Sequence, residues 1–300
     1  MNNTREIRLR IKSVENIFKI TKAMQTIAAS RMRRSQEKTF HARPFILRAF
    51  ELLAHLGIAK FHKEEIPLFT ARPVKKIAVI FISPSRGLCG GLIPNLFKKA
   101  ADFIEESKKE NVHLKFIVIG NKGQQFLKKM KVDIVAAFKD SDLWKADDAE
   151  PINEMVIDLF EKGEVDRVTV IYTNFISPLR QEAIVRDLLP LSEETLRKLL
   201  EAKLPQLFGR KKEVPEFKIE PTPDIAIKQL VPYMIKMGIY YLLWETKASE
   251  HASRMMAMQN ARKNAEELKD DLTLAYNQMR QSAITAQVAE IIGGVAALEE

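Results

Sequence analysis

The sequence has few of the residues from which catalytic, disulfide and metal sites are built. Its single cysteine, Cys89, excludes a disulfide within the chain and favours a reducing compartment. Its five histidines are scattered, and neither an HExxH nor a paired CxxC motif occurs, which argues against a metal site. No apolar run reaches the roughly 20 residues of a membrane-spanning helix. These absences predict a soluble intracellular protein without a metal or cofactor, although one that could still dock on a membrane complex.

Glycine and proline are absent from most of both ends of the chain. The sequence contains 11 glycines and 13 prolines, yet none lies in residues 1–43 or 239–292. Because these residue types interrupt regular structure more than any others, their absence leaves two long stretches that nothing breaks. The interruptions fall in the middle of the chain and in its last turn, so an ordinary folded domain is expected only in the middle.

Both uninterrupted stretches have the apolar spacing of helices. The first predicts a helix over residues 1–60, which Pro44 would bend or end. The second predicts a helix over residues 222–298, with Pro223 at its first position and a bend at Pro232. At 1.5 Å per residue, about 75 helical residues would span roughly 110 Å, several times the diameter of a small domain.

The apolar stripes of these helices determine what they can pack against. The stripe of the first helix is Ile7, Ile11, Val14, Ile17 or Phe18, Ile20 or Thr21, Met24, and Ile27 or Ala28. The second stripe is rich in alanine and repeats about every 3.5 residues, as in a left-handed coiled coil. A small domain cannot bury both stripes, so we expect the two helices to pack against each other, antiparallel.

The distribution of charge favours the same pairing. Residues 1–43 contain 11 Lys/Arg against 3 Asp/Glu, whereas residues 239–300 contain 6 against 9. A basic start and an acidic end can attract each other or an outside polyanion. Exposed ion pairs contribute only tenths of a kcal/mol each, so apolar burial must carry the stability of the pair.

Residues 74–215 follow a different pattern. Short β-branched runs bounded by turn residues alternate with amphipathic segments, which is typical of a parallel sheet covered by helices. The runs predicted to be strands are 75–83, 114–120 and 166–174, with 182–191 as a further candidate. The segments predicted to be helices are 92–110, 121–130 and 151–162. The predicted fold class is therefore α/β: a long antiparallel coiled coil of the N- and C-terminal helices plus a central Rossmann-like parallel-sheet domain.

The stretch SPSRGLCGGL (83–92) lies between the first strand and a helix, where α/β folds place phosphate-binding loops. It matches neither GxGxxG nor GxxxxGK[ST], so a nucleotide site is the less favoured interpretation. A glycine turn needed for backbone geometry is favoured. A third interpretation is a loop that exposes Arg86, Leu88 and Cys89 to a partner.

Two other segments have alternative interpretations. The basic run SRMRRSQEK (30–38) is either a nucleic-acid contact or a solvated helix face, and charge runs are more often the latter. The methionine-rich stretch SRMMAMQNA (253–261) is either a flexible binding surface or ordinary coiled-coil seam. Trp144 and Trp244 are interpreted as packing residues, and the sequence alone brings no two carboxylates into one pocket.

Four collinear segments resemble a known family. They are REIRLRIKSVENIFKITKAMQTIAASRMRRSQ (5–36), RGLCGGL (86–92), KASEHASRMMAM (247–258) and LTLAYNQMRQSAITAQVAEIIGG (272–294). Together they resemble the signature segments of the F-type ATP synthase gamma subunit, and they span effectively the whole chain.

The resemblance implies a rotor that carries torque and holds no ATP. The expected partners are the alpha and beta subunits of the catalytic hexamer, the epsilon subunit and the c-ring, with no nucleic acid. Association with the membrane is expected only through the complex, at the cytoplasmic face of a bacterial membrane. Proton flow through the ring would drive synthesis, and hydrolysis would drive the reverse rotation.

By similarity, particular residues are expected to contact partners. Met24 and Arg254 are expected at the lower part of the beta subunits. The loop expected near the moving acidic loops of the beta subunits consists of Arg86, Gly87, Leu88, Cys89, Gly90 and Gly91, with Cys89 exposed. The basic Arg31, Arg33 and Arg34 would complement those acidic loops. Those expected on the C-terminal helix are the polar Gln281, Thr285 and Glu290 and the apolar tip of Val288, Ile291, Ile292 and Val295. Residues 217–221 are expected near the ring.

The chain departs from the family at AITAQVAE, where a charge common in relatives is missing, so the role of Gln287 is in doubt. Two other functions compete with the rotor. One is an α/β enzyme that binds a nucleotide at Gly87–Gly91, and the other is a basic coiled-coil protein that binds nucleic acid.

Overall fold

The structure is a computed structural model that describes residues 2–55, 67–191 and 222–296. The chain divides into two compact units. The α/β unit comprises residues 30–253, and the helical unit comprises residues 1–29 and 254–300. Two helices contribute to both units: α1 (Asn2–His55) and the last helix, α5 (Pro223–Ala296).

The α/β unit contains a five-stranded sheet. Its strands are β1 (Lys76–Ile82), β2 (His113–Ile119), β3 (Asp133–Phe138), β4 (Arg167–Ser177) and β5 (Arg180–Leu189). Their order across the sheet is β3-β2-β1-β4-β5. Strands β1, β2 and β4 are parallel, as predicted, and β3 is parallel to β2 as well. The further candidate strand, β5, runs antiparallel to β4, because only Pro178 and Leu179 connect the two and so short a connection forms a hairpin.

Strand β3 was not predicted from the sequence. Its residues DIVAAF alternate between exposed and half-buried, since it lies at one edge of the sheet. The predicted strands are continuous buried runs, and a short segment with an aspartate and two alanines lacks that signal. Overlooking β3 matters, because the loop that follows this strand carries Asp140 and Asp142, two residues of the candidate site.

Three shorter helices cover the sheet, within two residues of their predicted bounds. They are α2 (Leu92–Lys109), α3 (Asn121–Lys129) and α4 (Glu150–Glu161). Alternate residues of β1 point into two separate cores. Val79 and Phe81 pack with α2 and α3, and Ala78 and Ile80 pack with α4 and the first part of α5.

The core on the α4 side includes residues from the long helices as well. Ala49 of α1 and Ile227, Val231 and Trp244 of α5 are buried in it. Trp144 lies in the same core, so the packing role predicted for both tryptophans is confirmed. The first part of α5 is thus a structural layer of the α/β unit.

The bounds of the long helices agree closely with the prediction. Helix α1 continues past Pro44 to His55, so the proline does not end it. Helix α5 begins at Pro223 and includes Pro232. The backbone N–H of Ile225 donates to the Thr222 hydroxyl at 3.5 Å, at the start that the sequence predicted. The predicted ends at residues 56–60 and 297–298 lie outside the described residues. No described helix has an apolar stretch long enough to cross a membrane.

Helix α1 has a row of buried residues at seven-residue spacing, and Met32 is buried in addition. Its buried positions include Val14, Thr21 and Ala28 in the helical unit, then Ser35, Ala42 and Ala49 in the α/β unit. Met258 and Ala265 of α5 follow the same seven-residue spacing in the helical unit. Lys269 Nζ lies 3.5 Å from Glu15 Oε1 there, which connects the two helices. This is the seam of a coiled coil, and it confirms the predicted fold class.

The sequence left open which residue of each adjacent pair lies in the seam. Thr21 and Ala28 are buried, whereas the neighbouring Ile20 and Ile27 are exposed, as is Ile17. Adjacent residues lie about 100° apart on a helix, so only one of each pair can face the partner. At these two pairs the seam takes the smaller residue, whereas at Ile17 and Phe18 the larger phenylalanine is half-buried.

Enlarging a seam residue is expected to destabilise the chain, whereas changing its exposed neighbour is not. Ala28→Leu inserts three carbons at a buried position and should lower the free energy of unfolding by about 1–3 kcal/mol. The matched control, Ile27→Leu, should change it by less than about 0.5 kcal/mol. Denaturant unfolding of the full chain, followed by circular dichroism, measures both. Equal effects of the two substitutions would contradict the assigned seam.

Candidate functional site

The candidate site lies at the carboxyl edge of the sheet, beside the point where strand order reverses between β1 and β4. Open α/β sheets bind ligands in the crevice outside this point. Four parallel strands end at this edge, so the segments that follow β1, β2, β3 and β4 gather there. The glycine-containing stretch 83–92 follows β1 directly.

The start of this stretch is packed against the turn into α3. The Ser83 hydroxyl donates to Ile119 O at 3.1 Å and accepts from the Gly123 backbone N–H at 2.8 Å. A Cβ at Gly123 would lie 2.4 Å from Ser83 Oγ, and one at Gly120 would lie 2.0 Å from Ser83 O. Only glycine fits at either position. Gly120 and Gly123, which lie outside the stretch 83–92, therefore serve close backbone packing against Ser83.

The N–H groups at the start of α3 are bonded within the chain. Besides the Gly123 N–H, the Asn121 N–H donates to Ser85 Oγ at 3.2 Å. Such N–H groups at a helix N-terminus are what a phosphate would bind. Here the hydroxyl oxygens of Ser83 and Ser85 accept these hydrogen bonds, so the two N–H groups are not available to an anion.

The loop turns Cys89 inward, so the prediction of an exposed Cys89 was wrong. Cys89 is only 1% exposed, whereas Leu88 beside it is 65% exposed. Leu88 and Gly90 have positive φ angles of 62° and 54°, and this sharp turn places their neighbour on the inside. Of the three residues expected to be exposed, Arg86 and Leu88 are exposed.

Helix α5 occupies the crevice beside this loop. The Ser253 hydroxyl donates to Cys89 O at 2.7 Å, and the Ser249 hydroxyl donates to Thr173 O of β4 at 2.9 Å. Ser249 is completely buried. Since these contacts lie on both sides of the strand reversal, the place where related sheets bind a nucleotide is filled by the chain itself.

A buried ion cluster lies on the same part of α5. Lys247 Nζ is 2.6 Å from Asp140 Oδ2, 2.9 Å from Glu250 Oε2 and 3.7 Å from Asp142 Oδ1. The side chains of Lys247 and Glu250 are each only 4% exposed. Both aspartates belong to the loop that follows β3. Arg31 of α1 extends the cluster, with Nη1 2.5 Å from Asp142 Oδ2.

The pKa values in the cluster reflect burial and the shared cation. Burial alone would lower the pKa of Lys247, but Glu250 and Asp140 outweigh it and raise that pKa, so the ammonium stays charged. Burial raises the pKa of Asp140, Lys247 offsets only part of this rise, and repulsion by the Glu250 carboxylate adds to it. Burial also acts on Asp142, yet Lys247, Arg31, His251 and Arg86 together lower its pKa.

These charged groups were missed by sequence reasoning. Lysine, aspartate and glutamate are usually surface residues, and nothing in their spacing signals burial. No local signal marks Lys247 as buried, since Glu245, Glu250 and His251 lie within four residues of it in the sequence. The aspartates could not be placed without strand β3, which brings their loop to this edge.

The cluster is arranged to join elements rather than to present reactive groups. The Lys247 ammonium already contacts the carboxylates of Asp140 and Glu250, and each of these three side chains is at most 8% exposed. Within the described residues, no group of three or more His, Cys, Asp and Glu side chains is placed to hold a metal ion.

The residues expected to contact partners divide between the two units. In the α/β unit, Arg33 and Arg34 are exposed, and Arg31 is half-buried against Asp142. In the helical unit, Met24 and Arg254 are half-buried, and Gln281, Thr285 and Ile292 are exposed. The side chains of Glu290 and Val295, and all of residues 217–221, lie outside the described residues. Apart from the buried Cys89, the partner contacts stay predictions.

Comparison with known proteins identifies the family. A family model described as ATP synthase matches residues 3–298. An ATP synthase gamma chain of Dehalococcoides mccartyi is 38% identical over 300 residues, which is 99% of this chain and 100% of the relative. The chain belongs to the ATP synthase gamma chain family. A gamma chain of Acidithiobacillus ferrooxidans is 39% identical over 302 residues, covering 99% of this chain and 100% of the relative.

Chains in solved ATP synthase structures share the fold. A chain from the central stalk and c-ring of Tetrahymena thermophila mitochondrial ATP synthase matches with a TM-score of 0.58 at 21% identity, over 81% of this chain and 99% of that chain. A chain from Euglena gracilis mitochondrial ATP synthase matches with a TM-score of 0.63 at 16% identity, over 99% and 95%. At such low identity these matches show the fold alone.

The close packing at Ser83 predicts a selective effect of adding a methyl group. Gly123→Ala places a carbon 2.4 Å from Ser83 Oγ and 2.9 Å from Phe81 Cε1, so it should cost about 2–3 kcal/mol of stability. The control, Gly87→Ala, meets nothing within 4 Å and should cost less than about 1 kcal/mol. Thermal unfolding of the full chain distinguishes them, and a Gly123→Ala chain as stable as the parent would contradict the packing.

The two aspartates should affect stability with opposite dependence on pH. The folded pKa of Asp140 is raised, so its ionisation costs stability as pH rises above 3.8, its ordinary value, through the folded value. The folded pKa of Asp142 is lowered, so its contribution is present above 3.8 and is lost as pH falls through the folded value.

Asp140→Asn should therefore gain stability relative to the parent chain as pH rises from acid towards neutral, and Asp142→Asn should lose it. Denaturant unfolding between about pH 3 and 7 measures both differences. Two variants that follow the same trend would contradict the assigned pKa directions.

Proposed function

We propose that this chain is the non-catalytic rotor of an ATP synthase, turning within a hexamer of alternating alpha and beta subunits. The observation that carries the proposal is the full-length match to gamma chains at 35–39% identity. Membership of this family makes the chain a subunit of the membrane-bound complex that synthesises ATP from ADP at the expense of a proton gradient. The partners are the alpha, beta and epsilon subunits and the c-ring.

The coupling mechanism follows from the rotor's lack of threefold symmetry. At any angle, a single chain presents a different surface to each of three beta subunits. A conformation of a beta subunit is stabilised only by the difference in contact energy that the rotor makes with it. As the rotor turns, that bias passes to the next subunit, so rotation and the sequence of nucleotide-binding states are coupled without any reaction on this chain.

The exposed apolar surface of α5 supports a role inside a larger assembly. Its large exposed apolar residues in the helical unit are Leu268, Leu274, Met279, Ile284, Val288, Ile291 and Ile292. At about 100° per residue, Ile284, Val288, Ile291 and Ile292 fall on one side of the helix. An exposed apolar face of this kind marks a region that a partner covers. Gln281 and Thr285, exposed on the same stretch, would supply polar contacts, and Glu290 falls among them in sequence.

A second candidate contact lies in the α/β unit. Arg33, Arg34 and Arg86 are exposed cations, and Leu88 is an exposed apolar residue on the loop of Gly87, Gly90 and Gly91. Acidic loops of the beta subunits would complement the three arginines. Cys89 would act only through its backbone, because its thiol is buried.

The filled crevice favours a non-catalytic subunit over a nucleotide-binding enzyme. Ser249 and Ser253 of α5 lie where a doubly wound sheet would hold its ligand. The nucleic-acid alternative rests on the basic start of the chain alone. Peripheral attachment at the cytoplasmic face of a bacterial membrane fits the rotor role.

The apolar end of α5 should be needed for coupling. Deleting residues 289–300 removes Ile291 and Ile292 from the surface that a partner would cover, so the complex should still hydrolyse ATP but pump fewer protons per ATP. Inverted membrane vesicles carrying the assembled complex measure both activities. A matched control replaces Glu299 and Glu300 with glutamine and keeps the chain length.

Normal coupling in the truncated complex would contradict the role assigned to the apolar end of α5.

Affinity purification of the tagged chain from native membranes tests the rotor function itself, with alpha, beta, epsilon and c subunits expected in the eluate. Saturable nucleotide binding by the chain alone would favour the enzyme instead. Binding to nucleic acid that falls steeply with salt, without any ATPase subunit, would favour the third function.

A further inference from the structure

We propose that the Lys247 cluster, formed by Lys247, Glu250, Asp140, Asp142 and Arg31, fixes the rotational position of α5 against the sheet. Torque then passes between the α/β unit's sheet and its two long helices through these buried charges. Lys247 is thus a positioning residue of the rotor. This inference rests on the proposed function, and it names the residues within the α/β unit that would carry the load.

The cluster joins three separate elements. Lys247 and Glu250 lie on α5, Asp140 and Asp142 on the loop after β3, and Arg31 on α1. Asp142 contacts both helices, since its Oδ1 faces Lys247 at 3.7 Å and its Oδ2 faces Arg31 at 2.5 Å. The loop therefore holds α1 and α5 at once, at the edge of the sheet.

Helix α5 is held on two sides at this level. Residues on a helix are about 100° apart, so the pair Lys247 and Glu250 lies roughly 110° around the axis from the pair Ser249 and Ser253. The first pair contacts the loop after β3, and the second donates to Thr173 and to Cys89. Contacts on one side alone would allow the helix to pivot, whereas contacts on two sides resist rotation about its axis.

Charge makes the first of these contacts specific. Turning α5 by one residue would move the ammonium away from Asp140 and leave buried ions without partners, a costly state. Apolar packing also resists a large turn, but the attraction between apolar side chains is not directional, whereas the ion pairs require particular atoms to meet. A buried ion pair often adds little net stability over apolar packing, so its effect here is on orientation.

The test removes the loop's contacts and keeps the charge pair on the helix. In Asp140→Asn with Asp142→Asn, Lys247 retains Glu250 at 2.9 Å, so no buried ammonium is left alone. The full chain is assembled with alpha and beta subunits. A bead is attached at Lys108→Cys, an exposed position on α2, which reacts in preference to the buried Cys89.

The measured quantity is the angular variance of the bead while rotation is stalled. Loss of the loop contacts should raise this variance roughly two-fold, with ATP hydrolysis retained. In inverted membrane vesicles that carry the whole complex, the same double variant should pump fewer protons per ATP hydrolysed. Asp158→Asn is the matched control, because it removes an exposed pair within α4, between Asp158 and Lys162, by the same chemical change. The control should leave the variance unchanged.

An unchanged variance in the double variant, with normal assembly, would overturn the proposal. If circular dichroism shows that the double variant does not fold, Asp142→Asn alone decides, since that side chain is 35% exposed. A raised angular variance in the Asp142→Asn chain supports the proposal, and an unchanged angular variance overturns the proposal. Failure of the rotor function itself would be recognised separately, because the parent chain would then not assemble with alpha and beta subunits.

Discussion

Helix α5 runs without a break through both units and is buried differently in each, and the rest of the structure depends on this helix. Within the α/β unit, α5 contributes large side chains such as Val231 and Trp244 to the core beneath the sheet. Within the helical unit, its buried positions are Met258 and Ala265, seven residues apart. A helix without glycine or proline between residues 239 and 292 can make this change of partner without a break.

The same helix explains how an α/β sheet of familiar topology can serve a mechanical purpose. The crevice at the strand reversal normally admits a ligand, but here Ser249 and Ser253 of α5 lie against Thr173 and Cys89. What would be a binding site becomes an attachment site for a helix. Fold alone would have suggested an enzyme, and only the contents of the crevice and the family argue otherwise.

The sequence predicted what depends on local pattern and failed where tertiary contacts decide. Periodicity and the positions of glycine and proline located α1, α5 and strands β1, β2 and β4. Edge strand β3 escaped because half of its residues face solvent, and with it the loop of Asp140 and Asp142. Cys89 was expected outside, since neither its neighbours nor its chemistry reveals the positive φ angles of Leu88 and Gly90 that turn it inward.

The seam of small residues has a consequence for biosynthesis. Helix α1 is translated first, and its partner α5 begins only at Pro223, about 10–30 s later at ordinary elongation rates. In that interval the heptad positions of α1 display Val14, Thr21 and Ala28, with the Thr21 hydroxyl bonded to Ile17 O of its own helix. Large apolar residues at these positions would favour pairing with a second nascent chain, whereas small seam residues bury less apolar area and favour such pairing less.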